Sequence, residues 1–89
     1  MRAVITVVGK DMVGILAKVS SVCAEHNANI LEVSQSILQD MFCMIMLIDI
    51  DDCSKPFAEF SRELQELGNS MGMVIHVMHE EIFNSMHRI

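Results

Sequence analysis

The segment Gly9-Lys10-Asp11-Met12-Val13-Gly14 holds the residue types in this sequence best suited to recognition. It joins a β-branched apolar run to the start of an amphipathic one. In the first turn of a helix, the backbone N–H groups of Gly14, Ile15 and Leu16 have no internal partner. They stand at the positive end of the helix dipole. Such an end holds a carboxylate without any basic side chain. Gly14 has no side chain, so a ligand can approach the backbone closely. Asp11 can accept from a ligand's ammonium. Together these groups could read both ends of a zwitterion. The competing account is equally good: Asp11 caps its own helix and Gly14 serves packing, since Asp is a leading capping residue.

Other chemistries find no support. His76 and His79 are three apart in a strand-like run and so point to opposite faces. His26 closes a helix and His87 lies in the tail. Without Cys, Asp or Glu at ligand spacing, these histidines read as polar tips at the rim of a core. No metal or cofactor is expected. Ser20, Ser21, Ser34 and Ser36 form no Ser–His–Asp arrangement. Cys23, Cys43 and Cys53 form no CxxC and cannot all pair, which argues against a disulfide framework and a zinc knuckle. Cys23 and Cys43 read as small core residues and Cys53 as a loop residue. Reduced thiols fit a cytoplasmic location. No enzyme is expected.

Six basic residues against twelve acidic give a net charge of −6. Nucleic-acid binding needs a basic face, and the basic residues here are scattered singly. Glu59, Glu63 and Glu66 read as one solvated side of a helix. The longest apolar run, Met41 to Ile48, is far short of the roughly 20 residues that span a bilayer, so no membrane span is expected. No signal peptide is expected either, since Lys10 and Asp11 follow the first apolar run. The sequence has 89 residues, 52% of them hydrophobic. So short a chain buries only about 60–65% of its unfolded surface. That much apolar residue in that small a domain points to an oligomer.

The elements that position these residues follow from periodicity. Ala3 to Val8 is apolar on both alternating faces, as a central strand is. Ile15, Leu16, Val19, Val22 and Cys23 recur at helical spacing. Asn27 suits the left-handed conformation that ends a helix. From Ile30 to Leu38, Leu31, Val33 and Ile37 share one face and Glu32, Ser34 and Ser36 the other, as at a sheet edge. Gln39-Asp40 reads as a hairpin turn, and Met41 to Ile50 as a second central strand. Ser54 is expected to cap the next helix, with Pro56 in its first turn. Phe57, Phe60, Leu64 and Leu67 line that helix, and Gly68 is expected to end it. Met73 to His79 reads as a fourth strand. Residues 80–89 read as a terminal amphipathic helix carrying Ile82, Phe83, Met86 and Ile89.

The order β-α-β-β-α-β predicts an α+β fold. It is the ferredoxin-like plait: a four-stranded antiparallel sheet with two helices on one face. Residues 1–79 form this domain, and the terminal helix follows. The two helices leave one sheet face bare, although both central strands are apolar on that side. An uncovered patch of that kind promotes aggregation. A homodimer is expected, burying this face or a sheet edge with help from Ile82, Phe83, Met86 and Ile89.

Two motifs carry a resemblance. Asp11-Met12-Val13-Gly14-Ile15-Leu16 is followed after one helix by Asn27-Ala28-Asn29-Ile30. This combination resembles the ACT domain, a regulatory amino-acid-binding module. With its tail Glu81-Ile82-Phe83-Asn84-Ser85-Met86-His87-Arg88-Ile89, the chain resembles the small stand-alone ACT proteins of bacteria and archaea. The resemblance implies side-by-side dimers. A small ligand, often an amino acid, would sit where the first loop of one chain meets the second strand of its neighbour. Carried over by position, the contacts are Asp11, Met12, Val13, Gly14, Ile15 and Leu16, facing Asn29 and Ile30 of the other copy. ACT domains usually regulate an attached enzyme or DNA-binding domain. This sequence shows neither, so it would act in trans on a partner protein. The alternative is a dimerisation or adaptor module that binds no ligand.

Overall fold

The computed structural model describes residues 1–10 and 14–86. Its elements run β1 (Arg2–Gly9), α1 (Ile15–Glu25), β2 (Asn29–Leu38), β3 (Met41–Asp49), α2 (Phe57–Met71), β4 (Val74–His79) and α3 (Glu80–Met86). The strands form one sheet in the order β2-β3-β1-β4, with every neighbouring pair antiparallel. This is the expected plait. The two doubly apolar runs, β1 and β3, occupy the centre, and the half-polar β2 lies at an edge.

Alternation sets the two faces of the sheet. Ala3, Ile5 and Val7 of β1 point to one side with Phe42, Met44, Met46 and Ile48 of β3 and with Ile75 and Val77 of β4. Ile15, Val19 and Cys23 of α1 and Phe60 and Leu64 of α2 cover that side. All of these residues are buried. The opposite parity carries Val4, Thr6 and Val8 of β1, Cys43, Ile45 and Leu47 of β3, and Val74, His76 and Met78 of β4.

Backbone conformation explains how α1 stops. His26 caps the helix and Asn27 takes a positive φ of 60°. The Ala28 N–H then donates to the Cys23 carbonyl at 2.8 Å, and the Asn27 N–H to that of Ala24 at 3.3 Å. That pair of bonds is a Schellman closure, with Asn in the left-handed position as expected.

The second helix departs from expectation at both ends. Its N-cap is Pro56, with no side-chain capping bond, so Ser54 does not cap it. Instead the Ser54 N–H donates to the His26 carbonyl at 2.8 Å. Gly68 does not end the helix but lies within it, buried. A Cβ there would stand 2.8 Å from Ile75 Cγ1 and 3.0 Å from the Met73 carbonyl oxygen. Glycine at 68 therefore permits close approach of helix and strand. The stop comes at Gly72, with φ 73°, where the Met73 N–H closes back on the Gly68 carbonyl at 2.8 Å.

The remaining turns are short. Gln39 and Asp40 connect β2 to β3, and Gln39 takes a positive φ of 58°. A bulge between Ile30 and Glu32 shifts the β2 register. Beyond it Val33 and Ile37 lie opposite Met46 and Phe42 on the helix-covered face, while Glu32, Ser34 and Ser36 lie opposite Leu47, Ile45 and Cys43.

Candidate functional site

The strand–helix junction expected to hold a ligand leads from Gly9 into α1. Gly14 is the N-cap, in the left-handed conformation with φ 77° and ψ −1°. Its carbonyl accepts the first helical bond, from Lys18 N–H at 3.0 Å. A Cβ at Gly14 would meet nothing within 4 Å. Packing therefore does not require this glycine; the positive φ does. With no side chain, Gly14 cannot cap the helix that it begins, and the first-turn N–H groups are the groups a carboxylate would meet. Ile15 is only 1% exposed, so its side chain belongs to the core and only its backbone faces the junction. Leu16 is 38% exposed at the rim. Asp11, Met12 and Val13 lie outside the described residues.

Asn29 and Ile30 begin β2. Asn29 is exposed and lies opposite Asp49, which in turn lies opposite Arg2. Ile30 is half-buried against the core. At the other end of the sheet, Gly9 lies opposite Phe42, and Phe42 opposite Ile37. Seven residues of strand at about 3.4 Å each separate these two ends by roughly 24 Å. The helix gives the same result, since Gly14 precedes α1 and Asn29 follows it. One chain does not bring the two halves of the expected site together. A groove of about 410 Å³ opens at the Gly9 end, lined by Val8, Gly9, Lys10, Met41, Met71, Gly72 and Val74.

A polar cluster that sequence reasoning missed joins α1 to α2. His26 Nε2 lies 3.1 Å from Glu63 Oε1, and Lys55 Nζ donates to the same oxygen at 2.7 Å. The Lys55 hydrogen bond, then that of His26, holds the Glu63 carboxyl below its ordinary value. Glu63 in turn raises the Lys55 ammonium. Glu63 is therefore half-buried and paired, and not the solvated residue expected from its spacing with Glu59 and Glu66. Glu25, His26 and Glu63 offer ligand atoms within 4.8 Å of one another. An ammonium already sits on the shared carboxylate, so the cluster reads as a fastening of the α1 terminus. Its two halves, Glu25-His26 and Lys55 with Glu63, are far apart in sequence, and no periodicity links them.

The other polar candidates separate. His76 is exposed opposite Thr6, while His79 faces the helix side and stacks on Phe57 at 4.1 Å. The two histidines do point to opposite faces. The three cysteines are free. Cys23 is buried in the core, and burial pushes its thiol up to about 11. Cys43 differs from expectation: it lies half-buried on the face away from α1 and α2, opposite Val8 and Ser36. Among the described residues, no helix is long and apolar enough to cross a membrane.

The ACT domain family model matches residues 2–78, and the chain belongs to that family. Its relatives include UPF0237 proteins from both archaea and bacteria. One from Methanopyrus kandleri is 46% identical over 99% of this chain and 98% of its own. One from Listeria monocytogenes is 49% identical over the full length of both. Among solved structures, an ACT domain protein from Streptococcus pneumoniae superposes with a TM-score of 0.81. It is 36% identical, over 93% of each chain. A formyltetrahydrofolate deformylase from Pseudomonas syringae superposes with a TM-score of 0.77 at 27% identity. That match covers 88% of this chain but only 27% of the deformylase.

Proposed function

We propose that this chain is a non-enzymatic regulatory module that works as a homodimer and binds an amino acid at the seam between two copies. The observation that carries this reading is the separation of Gly14 and Asn29 to opposite ends of the sheet. The edge strand β2 supplies the means to reunite them. Among the described residues its outer edge has no strand beside it, and Ile37 and Leu38 are 65% and 73% exposed. An exposed apolar edge is a template for pairing with another chain. Two copies set edge to edge by a two-fold axis run their β2 strands antiparallel. The Leu38 end of one then lies beside the Asn29 end of the other.

In that arrangement the first-turn N–H groups of α1 take the α-carboxylate. The Asn29 side chain of the other copy donates or accepts at the polar head of the ligand. Regulation then acts in trans, on a partner protein. Calorimetric titration of the dimer with each proteinogenic amino acid tests the reading. Saturable heat from at least one, abolished by Asn29→Ala, is expected. A folded dimer silent to all of them overturns the ligand and leaves a ligand-free dimerisation or adaptor module.

A further inference from the structure

The β2 strand by itself holds Asn29 weakly. Asn29 is exposed at the last pair of the β2–β3 ladder, opposite Asp49. Just beyond it, the bulge between Ile30 and Glu32 interrupts the register. A bulge disrupts the ladder locally, so the pairing on either side of it secures the strand end less well. The firm hold on Asn29 comes from the other direction, along the chain from α1.

Three residues before Asn29, His26 is gripped at both its backbone and its ring. Its carbonyl accepts from the Ser54 N–H at 2.8 Å. Its Nε2 lies 3.1 and 3.2 Å from the two Glu63 oxygens. Lys55, the neighbour of Ser54, donates to Glu63 Oε1 at 2.7 Å and holds that carboxylate in place. The ring also meets Phe60 edge-on, with centroids 6.2 Å apart and planes at 89°. Phe60 is fully buried, so α2 brings a fixed wall to the ring, and the His26 side chain is only 13% exposed. Little freedom remains between His26 and Asn29. Asn27 holds its left-handed conformation, and Ala28 is buried with its N–H on the Cys23 carbonyl. The placement of Asn29 is thus passed down from His26.

A polar contact to a ligand counts only where its donor or acceptor is held at the right distance and angle, and supporting hydrogen bonds do that holding. We infer that Glu63, with Lys55 behind it, is a positioning residue for ligand binding: it holds His26, and through His26 it sets where Asn29 meets the ligand. The inference rests on the amino-acid reading proposed above. Glu63 acts through His26 and makes no contact with the ligand itself. A single misplaced hydrogen bond weakens affinity roughly two- to tenfold.

Calorimetric titration of Glu63→Ala and of Lys55→Met, beside wild type and with the same set of amino acids, tests the role. It is done well below each melting transition. There the chain is fully folded, so a residue that only stabilises the fold leaves the affinity unchanged. Both variants should remain dimers by light scattering and bind the amino acid that wild type binds roughly two- to tenfold more weakly. The Lys55 side chain is 39% exposed, so Lys55→Met carries the test if Glu63→Ala fails to fold. Amide hydrogen exchange on the ligand-free dimers gives a second readout. The Ala28 amide should speed up more in the variants than those of Met44 and Met46 in the middle of β3. Wild-type affinity in the folded variants overturns the positioning role and leaves the amino-acid reading standing. An Ala28 amide that gains no more than the β3 amides also overturns it. A wild-type dimer silent to every amino acid removes that reading and this role together.

Discussion

Gly68 of α2 lies so close to Ile75 of β4 that a Cβ would fall 2.8 Å from Ile75 Cγ1. In an open helix, Ala in place of Gly gains up to about 1 kcal/mol. Here the backbone oxygen of Met73 blocks the other direction at 3.0 Å, so helix and strand must part. Gly68→Ala should lower stability by about 1–3 kcal/mol, as overpacked sites do. Urea denaturation followed by circular dichroism reads the loss; unchanged stability would mean that the helix shifts freely.

Glu63 should make stability sensitive to acid. Its carboxyl titrates below its ordinary 4.5 in the folded chain, first because of Lys55 and then of His26. A depressed carboxyl contributes stability that is present above the unfolded value and is lost as pH falls through the folded one. Glu63→Gln should therefore be less stable than wild type at neutral pH. The gap should narrow as the pH drops through and below 4.5. Thermal melts across that range test it, and a gap independent of pH refutes it.

Cys23 should be the last thiol to react. Burial raises its thiol to about 11, while Cys43 and Cys53 are half-buried. The thiolate is the nucleophile, so a buried thiol with a raised value is inert. Mass spectrometry after mild alkylation should find Cys23 unmodified until denaturant is added. The same shift lowers stability once the pH passes the ordinary thiol value of 9.0, because the unfolded chain then ionises first.

Charge on the open edge should separate the copies. Val33 and Ile37 lie on β2 with exposed side chains. Val33→Lys/Ile37→Lys places cations on an edge strand, a known obstacle to strand pairing. The variant should remain folded and sediment as a 10.0 kDa monomer. A dimer that survives both lysines places the pairing elsewhere.

Gly14→Ala should cost roughly 1 kcal/mol from its positive φ alone, since no neighbour crowds the site. Asn29→Ala, at an exposed strand start, should leave the melting temperature nearly unchanged. Calorimetry on both variants separates backbone strain from ligand contact.

Much of this architecture could be read from periodicity. β1 and β3 are apolar at every position that matters, and only the middle of a covered sheet accepts such strands. The polar side of β2, through Glu32, Ser34 and Ser36, marked the edge. Helix ends were harder. Gly68 and Gly72 are both glycines, and spacing cannot tell a contact glycine from a stop glycine. Ser54 looked like a cap, but its N–H is engaged with His26, from a different part of the chain. Glu63 read as surface because its partners come from α1 and a loop. Of the expected site, Gly14 and Asn29 are at opposite poles. Local sequence held the motif at each pole and said nothing of their distance.

That distance has a thermodynamic corollary. A molecule touching both Gly14 and Asn29 must bridge two polypeptides, so it acts as a glue. Its apparent affinity then tightens as protein concentration rises, and saturating it slows subunit exchange. If the proposed seam pocket forms, dilution alone empties it, and the protein's own concentration sets how readily it fills.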